Sequence, residues 1–168
     1  SRFIDEHRHD DVRLLALQAG KYPGVDMTEA VVQIAGWQIA EKKVPSWAQT
    51  EGIRYPQHLS MEQCSSEQTA RYKAEVALRI VERTTETKDT ETVLTDLTGG
   101  FGVDFSFMAK EFGRGIYVER NERLCAIAET NFMKLGLSNV STVCADCTTY
   151  LPEAAHTLGV EGFKSHAA

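Results

Sequence analysis

Three groups of residues in the second half of the chain have the types and spacing needed to bind a nucleoside. The first is the glycine turn Asp96-Leu97-Thr98-Gly99-Gly100-Phe101-Gly102, whose glycines permit a tight turn and let a ligand touch the backbone. The second is Glu119, whose carboxylate can accept hydrogen bonds from both hydroxyls of a ribose. The third is Asp146, whose carboxylate can accept a hydrogen bond from the exocyclic amino group of adenine.

Each group falls at the end of a short apolar run that predicts a β-strand. The predicted strands are 93–97, 116–118 and 139–144, and helical patterns over 103–111 and 121–136 lie between them. Such alternation predicts a parallel sheet with right-handed crossovers. Because ligands of open α/β sheets bind at the carboxyl ends of the strands, the three groups are expected to lie along one edge of the sheet.

Taken alone, each group also has an ordinary structural interpretation. The glycine turn can be a tight connection and nothing more. Glu119 can be a solvated residue, or a favourable charge at the start of the following helix. Asp146 can be the N-cap of the last predicted helix, about residues 148–156. All three together, in this order, favour an adenosine-binding site.

A dinucleotide such as NAD or FAD is the alternative ligand. Its fingerprint requires a third glycine where this chain has Phe105. Asp104 also stands at the helix start, where a pyrophosphate would bind and be repelled by a carboxylate. S-adenosylmethionine (SAM) has no phosphate and carries a sulfonium cation, so the charge pattern favours SAM.

The first half of the chain is predicted to be helical. One helix is expected over 4–19 and a second over 27–44, capped by Asp26. An ordered loop is expected over 45–59, and a third helix begins at Ser60 or Ser65. We therefore predict a helical N-terminal subdomain over 1–60 and the first half of a SAM-binding Rossmann-like domain over 61–168.

Bulk composition is that of an ordinary globular protein. No apolar run approaches the roughly 18 residues of a membrane helix, and the polar start lacks a signal-peptide pattern, which predicts a cytoplasmic protein. The net charge of -6 gives little sign of a nucleic-acid-binding face. The sequence shows no metal-site pattern, and the Cys144-Ala-Asp-Cys147 pair is either a redox motif or two small residues packed at a strand end.

Several segments resemble known families. The glycine turn, residues 117–121 and residues 144–146 resemble the three cofactor motifs of class I SAM-dependent methyltransferases. The upstream segments 33–36, 43–47 and 62–74 resemble the N-terminal region of uncharacterised bacterial methyltransferases that carry a C-terminal THUMP-like domain. This resemblance implies a methyltransferase that uses SAM and acts on RNA, with a protein or a small molecule as the alternative acceptor.

The resemblance also implies roles for individual residues. Gly100 and Gly102 would pass beneath the cofactor, and Asp96 would lie near its amino-acid end. Glu119 would hold the ribose, and Arg120 would flank the adenine. The complete set of expected cofactor-binding residues is Ser65, Asp96, Thr98, Gly99, Gly100, Gly102, Glu119, Arg120, Asp146 and Cys147. Ser65 enters this set because its segment resembles the one that helps bind the SAM carboxylate in cap-hypermethylating RNA methyltransferases.

One departure from the family pattern affects the expected activity. Relatives continue to a fourth strand that ends in an Asp-Pro motif at the acceptor site, and this sequence contains no Asp-Pro. We therefore expect a truncated domain that binds the donor without turning over alone, and whose open first strand leads to dimers or swapped elements. The alternative is a non-catalytic interaction module in which Trp37, Trp47 and Tyr55 form a docking surface; a core position for these aromatic residues is the stronger interpretation.

Overall fold

The computed structural model describes residues 2–84 and 92–151, and its centre is a three-stranded parallel sheet. The strands follow one another in the order β1-β2-β3, with bounds Val93–Asp96, Arg114–Glu119 and Val140–Cys144. All pairs are parallel, so the three carboxyl ends meet at one edge. The predicted α/β class and the partial Rossmann-like sheet of about three parallel strands are confirmed.

The middle strand carries the apolar contacts of the sheet. Tyr117 and Val118 of β2 are completely buried. Tyr117 packs against Phe105 and Phe132, which come from the two crossover helices. Burial of large aromatic side chains contributes strongly to a small core, so these contacts hold both crossovers on the sheet.

The two crossovers are helical, as predicted. The first, α7, spans Val103–Met108 and continues as a single 3₁₀ turn, while the second, α8, spans Glu122–Lys134. Asn121 caps α8 by accepting a hydrogen bond from the Leu124 N–H. Gly136 follows the C-cap with a φ of 72°, the conformation that ends a helix most readily at glycine. A helical segment over 147–151 follows β3, and the rest of the helix predicted to residue 156 lies outside the described residues.

The N-terminal half is helical, but its first helix is broken where one continuous helix was predicted. The elements are α1 (Arg2–His7), α2 (Val12–Leu17), α3 (Met27–Lys43), α4 (Pro45–Ala48), α5 (His58–Gln63) and α6 (Glu67–Thr84). Asp11 causes the break, because its carboxylate caps α2 by accepting from the N–H groups of Arg13 and Leu14. Asp26 caps α3 as predicted.

The predicted third helix is two helices, and neither proposed serine caps the longer one. The α6 helix begins after Ser66, whose hydroxyl accepts a hydrogen bond from the Thr69 N–H. Ser60 lies within α5, and Ser65 lies between the two helices with its hydroxyl turned to another partner. None of the described helices is long and apolar enough to cross a membrane.

Two buried side-chain amides attach residues 54–55 to the rest of the fold. Gln33 of α3 exchanges two hydrogen bonds with the backbone of Tyr55, and Asn131 of α8 does the same with Arg54. A shared core cluster contains Trp47 and Tyr55 as well as Phe101 and Val103. The predicted boundary near residue 60 therefore passes through a region where both parts pack together.

Candidate functional site

The glycine turn connects β1 to α7 and is hydrogen-bonded to β2. Gly100 and Gly102 have φ values of 55° and 85°, a region that favours glycine. The Gly99 N–H donates to the Val118 carbonyl, and the Tyr117 hydroxyl donates to the Gly100 carbonyl. A side chain at Gly100 would meet nothing closer than 3.7 Å, so the upper side of this turn is open to a ligand.

Glu119 lies at the end of β2 and faces the turn. Its Oε2 accepts from the Gly100 N–H at 2.9 Å, and its Oε1 accepts from the Asn121 N–H at 2.9 Å. A carboxylate has about four acceptor positions. Two of them therefore remain for the hydroxyls of a ribose.

Asp146 begins the helical segment after β3. Its Oδ1 accepts from both the backbone N–H and the hydroxyl of Thr148, which makes Asp146 an N-cap, one of the interpretations left open by the sequence. Among the described residues its Oδ2 accepts no hydrogen bond and stays available to a ligand. The Thr148 hydrogen bonds, helped by the positive charge of Arg120, lower the pKa of Asp146, so it is ionised at neutral pH.

A cavity of about 390 Å³ lies beside these residues. Its walls come from the glycine turn, from the segment between α5 and α6, and from the ends of β1 and β2. The expected site residues that line it are Ser65, Asp96, Thr98, Gly99, Gly100, Gly102 and Glu119.

A second cavity of about 350 Å³ adjoins the first and shares Thr98 and Glu119 with it. Arg120, Asp146 and Cys147 also line this second cavity. The structure therefore brings all ten residues expected from the sequence to two neighbouring cavities at the carboxyl edge of the sheet.

Asp96 supplies a carboxylate to the first cavity at the end of β1. Its Oδ1 accepts from the Thr98 N–H at 2.9 Å. Burial raises the pKa of Asp96, and the nearby carboxylates of Asp104 and Glu119 raise it further. The cavity is therefore an acidic environment, in which a positively charged ligand would be favoured.

Asp104, which lines this cavity, and Lys73, which contacts Asp104, were not among the expected binding residues. Asp104 lines the cavity, and its Oδ2 accepts from the Ser65 hydroxyl at 2.9 Å and from the Lys73 ammonium at 2.6 Å. In the sequence, Asp104 served only as an argument against a phosphate ligand. Lys73 gave no signal, because 31 positions separate it from Asp104 and no local pattern connects them.

The cysteines are free thiols. Cys144 and Cys147 form no disulfide, and the Cys125 thiol donates to the Glu119 carbonyl at 3.0 Å. Burial and the neighbouring Cys144 thiol raise the pKa of Cys125 to about 12, so it is protonated at neutral pH. Within residues 2–84 and 92–151, no cluster of three or more Cys, His or acidic side chains could hold a metal ion.

Comparison with solved structures found a protein of similar fold. The chain resembles the crystal structure of a proposed methyltransferase from Porphyromonas gingivalis W83, with a TM-score of 0.70 and 26% sequence identity. The match covers 93% of this chain and 37% of the other protein, so this chain spans little more than a third of its structural relative. No protein-family model and no curated protein matches the chain. The likeness shows that this chain shares the fold of part of that protein.

Proposed function

We propose that this chain binds SAM and forms the donor-binding part of a methyltransferase. The observation that carries this proposal is the pair of adjoining cavities at the carboxyl edge of a methyltransferase-like sheet, with an acidic wall in the first and the free Oδ2 of Asp146 at the second. The sheet edge is where α/β proteins bind their ligands.

The second cavity fits the adenine. Asp146 would accept the exocyclic amino group, Arg120 would flank the ring, and Cys147 would contact it through the backbone. Glu119 is shared by both cavities and would hold the ribose hydroxyls, since its carboxylate keeps two acceptor positions free. The adenosine would thus extend from β3 to β2.

The first cavity fits the charged end of the donor. Its described lining residues include no Lys, Arg or His; the Asp96 and Glu119 carboxylates form no ion pair within the described part of the chain, whereas Asp104 is paired with Lys73. This negative wall complements a sulfonium cation and opposes a diphosphate, which supports SAM over a dinucleotide. Methyl transfer then depends mainly on holding the sulfonium in line with an acceptor, and SAM itself supplies the methyl group.

Calorimetric titration with S-adenosylhomocysteine tests this proposal. We expect measurable binding by the wild-type chain and weaker binding by Glu119→Ala and by Asp146→Ala. No binding by a folded wild-type chain would contradict the proposal and leave the non-catalytic module as the better interpretation. For the non-catalytic module, Trp47 and Tyr55 could not form part of a docking surface, because only 1% of Trp47 and 4% of Tyr55 is exposed.

For the whole protein we propose RNA as the methyl acceptor, on the strength of the family resemblance. The net charge of -6 opposes RNA binding by this chain alone, since its charge repels the phosphate backbone. We therefore expect the chain alone to bind RNA weakly, and the contacts to RNA to come from other segments of a longer protein. Tight, salt-dependent RNA binding by these 168 residues would contradict this division of roles.

A further inference from the structure

A separate cavity, the N-terminal cavity, is lined by residues of α1 and α3 and by residues 48–55. Its volume is about 370 Å³, which falls in the range of small-molecule sites, roughly 300–1,000 Å³. It shares no lining residue with either of the two cavities at the sheet edge. A ligand bound here would therefore occupy a site of its own.

The Tyr55 hydroxyl is a polar group without a partner at this cavity. The backbone of Tyr55 exchanges two hydrogen bonds with Gln33, but the hydroxyl has no partner among the described residues. Only 4% of Tyr55 is exposed, and a buried tyrosine hydroxyl usually finds a hydrogen-bond partner. Within the described part of the chain, Asp104 Oδ1 is the one buried side-chain oxygen that is both sealed and unpartnered. The Tyr55 oxygen must therefore reach the open space of the cavity that the residue lines.

Arg8 provides a second donor beside this hydroxyl. Its guanidinium lies 5.0 Å from the centre of the Trp37 ring, and both residues line the cavity. Its Nε and Nη2 donate to Asp5, and its other guanidinium nitrogen has no partner among the described residues. Burial raises the pKa of Tyr55, and the charge of nearby Arg8 offsets this only in part. The hydroxyl therefore keeps its proton at neutral pH, and both groups can donate to a ligand.

The N-terminal cavity also offers an acceptor, and its lining carries no net charge. Glu51 lines the cavity, and its carboxylate forms no ion pair within residues 2–84 and 92–151. The charged lining residues are two cations and two anions: Arg8, Arg54, Asp5 and Glu51. A free phosphate would meet two carboxylates here, whereas a neutral ligand with donors and acceptors would find a partner for each.

We propose that the N-terminal cavity binds an unstacked guanine base of single-stranded RNA. Guanine carries acceptors at O6 and N7, and arginine bonded to these two atoms is the commonest specific contact to this base. Arg8 and Tyr55 donate to these acceptors, and Glu51 accepts from the N1–H and the 2-amino group. Proteins that read single-stranded RNA stack its bases on aromatic rings and arginine planes, and Trp37 with Arg8 supplies both surfaces.

This inference rests on the RNA acceptor of the proposed function, for which it supplies a point of contact. A single base in a cavity of no net charge adds no phosphate contact, so it agrees with weak RNA binding by this chain alone. The cavity also lies close to the donor site. The ring centroids of Tyr55 and Phe101 are 6.3 Å apart, and Phe101 belongs to the glycine turn and lines the first cavity.

Calorimetric titration with guanosine and with adenosine tests the assignment. S-adenosylhomocysteine is present in excess, so that the proposed donor site is filled and the nucleosides bind elsewhere. We expect the wild-type chain to bind guanosine about fivefold or more tightly than adenosine. Tyr55→Phe and Arg8→Met should each weaken guanosine about fivefold or more, because each removes a donor. Glu51→Ala should lower the preference for guanosine over inosine, which lacks the 2-amino group.

Matched variants separate loss of a contact from loss of folding. Arg2→Met removes a cation from α1, where 91% of the Arg2 side chain is exposed. Tyr72→Phe removes the hydroxyl of a tyrosine that is 64% exposed on α6. Neither residue lines the N-terminal cavity, so both variants should bind guanosine as the wild type does. Thermal unfolding of every variant shows whether it is folded.

A short single-stranded oligoribonucleotide with one guanine among uracils distinguishes RNA from a free nucleoside. It should bind at least as tightly as guanosine, because the exposed Glu51 leaves the rim of the cavity open. If the cavity excludes the oligonucleotide but binds guanosine, the ligand is a free nucleoside and the assignment to RNA is wrong.

Failure of this inference can be distinguished from failure of the donor site. A folded wild type that does not bind guanosine, or that binds guanosine and adenosine equally, would contradict the inference whatever S-adenosylhomocysteine does. Unchanged guanosine affinity in Tyr55→Phe and Arg8→Met would contradict it as well. Guanosine binding that depends on Tyr55 and Arg8, in a chain that does not bind S-adenosylhomocysteine, would support this cavity and overturn only the donor site.

Discussion

The carboxylate of Glu119 accepts a hydrogen bond from the Gly100 N–H at 2.9 Å, which joins the end of β2 to the turn that follows β1. The same carboxylate also accepts from the Asn121 N–H at the start of α8. Glu119 thus organises the edge of the sheet before any ligand binds. A residue that would hold the ribose is already fixed in position, which lowers the ordering cost of binding.

Glu119→Ala should therefore lower the affinity for S-adenosylhomocysteine about tenfold or more. The substitution removes a charged acceptor and also removes the hydrogen bond that holds the glycine turn. Calorimetry measures the change. Glu122→Ala is the matched control, since Glu122 is an exposed acid in the first turn of α8 and lines neither cavity. Equal affinities for wild type and Glu119→Ala would show that the ribose lies elsewhere.

Asp146 should determine the preference for adenine over a 6-oxo purine. The wild type is expected to bind 5′-methylthioadenosine better than 5′-methylthioinosine, because the ionised Oδ2 is an acceptor, to which a 6-amino group can donate and a 6-oxo group cannot. Asp146→Asn keeps a capping oxygen for Thr148 and replaces the free acceptor with a donor. We expect this variant to lose or invert the preference in competition titrations. A preference that survives the substitution would argue against the adenine assignment.

The two adjacent glycines should respond differently to alanine. In Gly99→Ala the new methyl group would lie 2.2 Å from the Tyr117 ring, so we expect about 1–3 kcal/mol of destabilisation from overpacking. In Gly100→Ala the space is open and only the positive φ opposes the change, which costs about 1 kcal/mol. Urea unfolding measures both values.

Gly99→Ala should cause the larger loss of stability, whereas Gly100→Ala should cause the larger loss of ligand affinity. Gly100→Ala places a methyl group on the open side of the turn, where the cofactor would pass, so it should lose binding while staying folded. If folded Gly100→Ala binds S-adenosylhomocysteine as tightly as the wild type, the ligand does not approach this turn.

The raised pKa of Asp96 predicts a dependence of binding on pH. As the pH falls, Asp96 takes up its proton earlier than an ordinary aspartate and loses its attraction for a cation. SAM affinity should therefore begin to fall at a pH above the ordinary titration range of an aspartate. Titrations at a series of pH values test this, and Asp96→Asn should give a flatter profile.

The raised pKa of Asp96 also predicts a dependence of folding stability on pH. Lowering the pH should weaken SAM binding but should relieve the cost of burying the Asp96 charge. A raised pKa means that the charged form of Asp96 opposes folding above that pKa, and that the penalty disappears as the pH falls through it. Asp96→Asn should therefore stabilise the ligand-free chain at pH values above the titration of Asp96. Urea unfolding of both proteins at neutral and acidic pH should show this gain shrinking at the acidic value.

The outer edge of β1 predicts self-association of this 168-residue chain. Among the described residues β1 pairs only with β2, and 45% of Val93 is exposed at this strand. An open apolar edge favours strand pairing, so we expect dimers in light scattering, formed directly or by exchange of elements. Val93→Lys should shift the chain toward monomers. A monomeric wild type would contradict this prediction.

Local chemistry explains which features could be predicted from the sequence. The three strands, the caps at Asp26 and Asn121, and the helix end at Gly136 depend on residues close together in the chain, and all are confirmed. The break at Asp11 was missed because its two-residue cap competes with a helical pattern that continues on both sides. The cap at Ser66 was missed because neighbouring serines are equivalent until one of them finds another partner.

The sequence alone determined the positions of the strands along the chain, the glycine turn and the acids at the three strand ends, because each follows from periodicity and residue type within a short window. Only the tertiary structure decided that Lys73 and Asp104 meet beside the cavity and that one Asp104 oxygen lacks a partner. It also decided that Trp47 and Tyr55 belong to a core shared with α7, the helix that follows the glycine turn. These contacts join residues far apart in the chain, and the packing of whole helices against one another determines them.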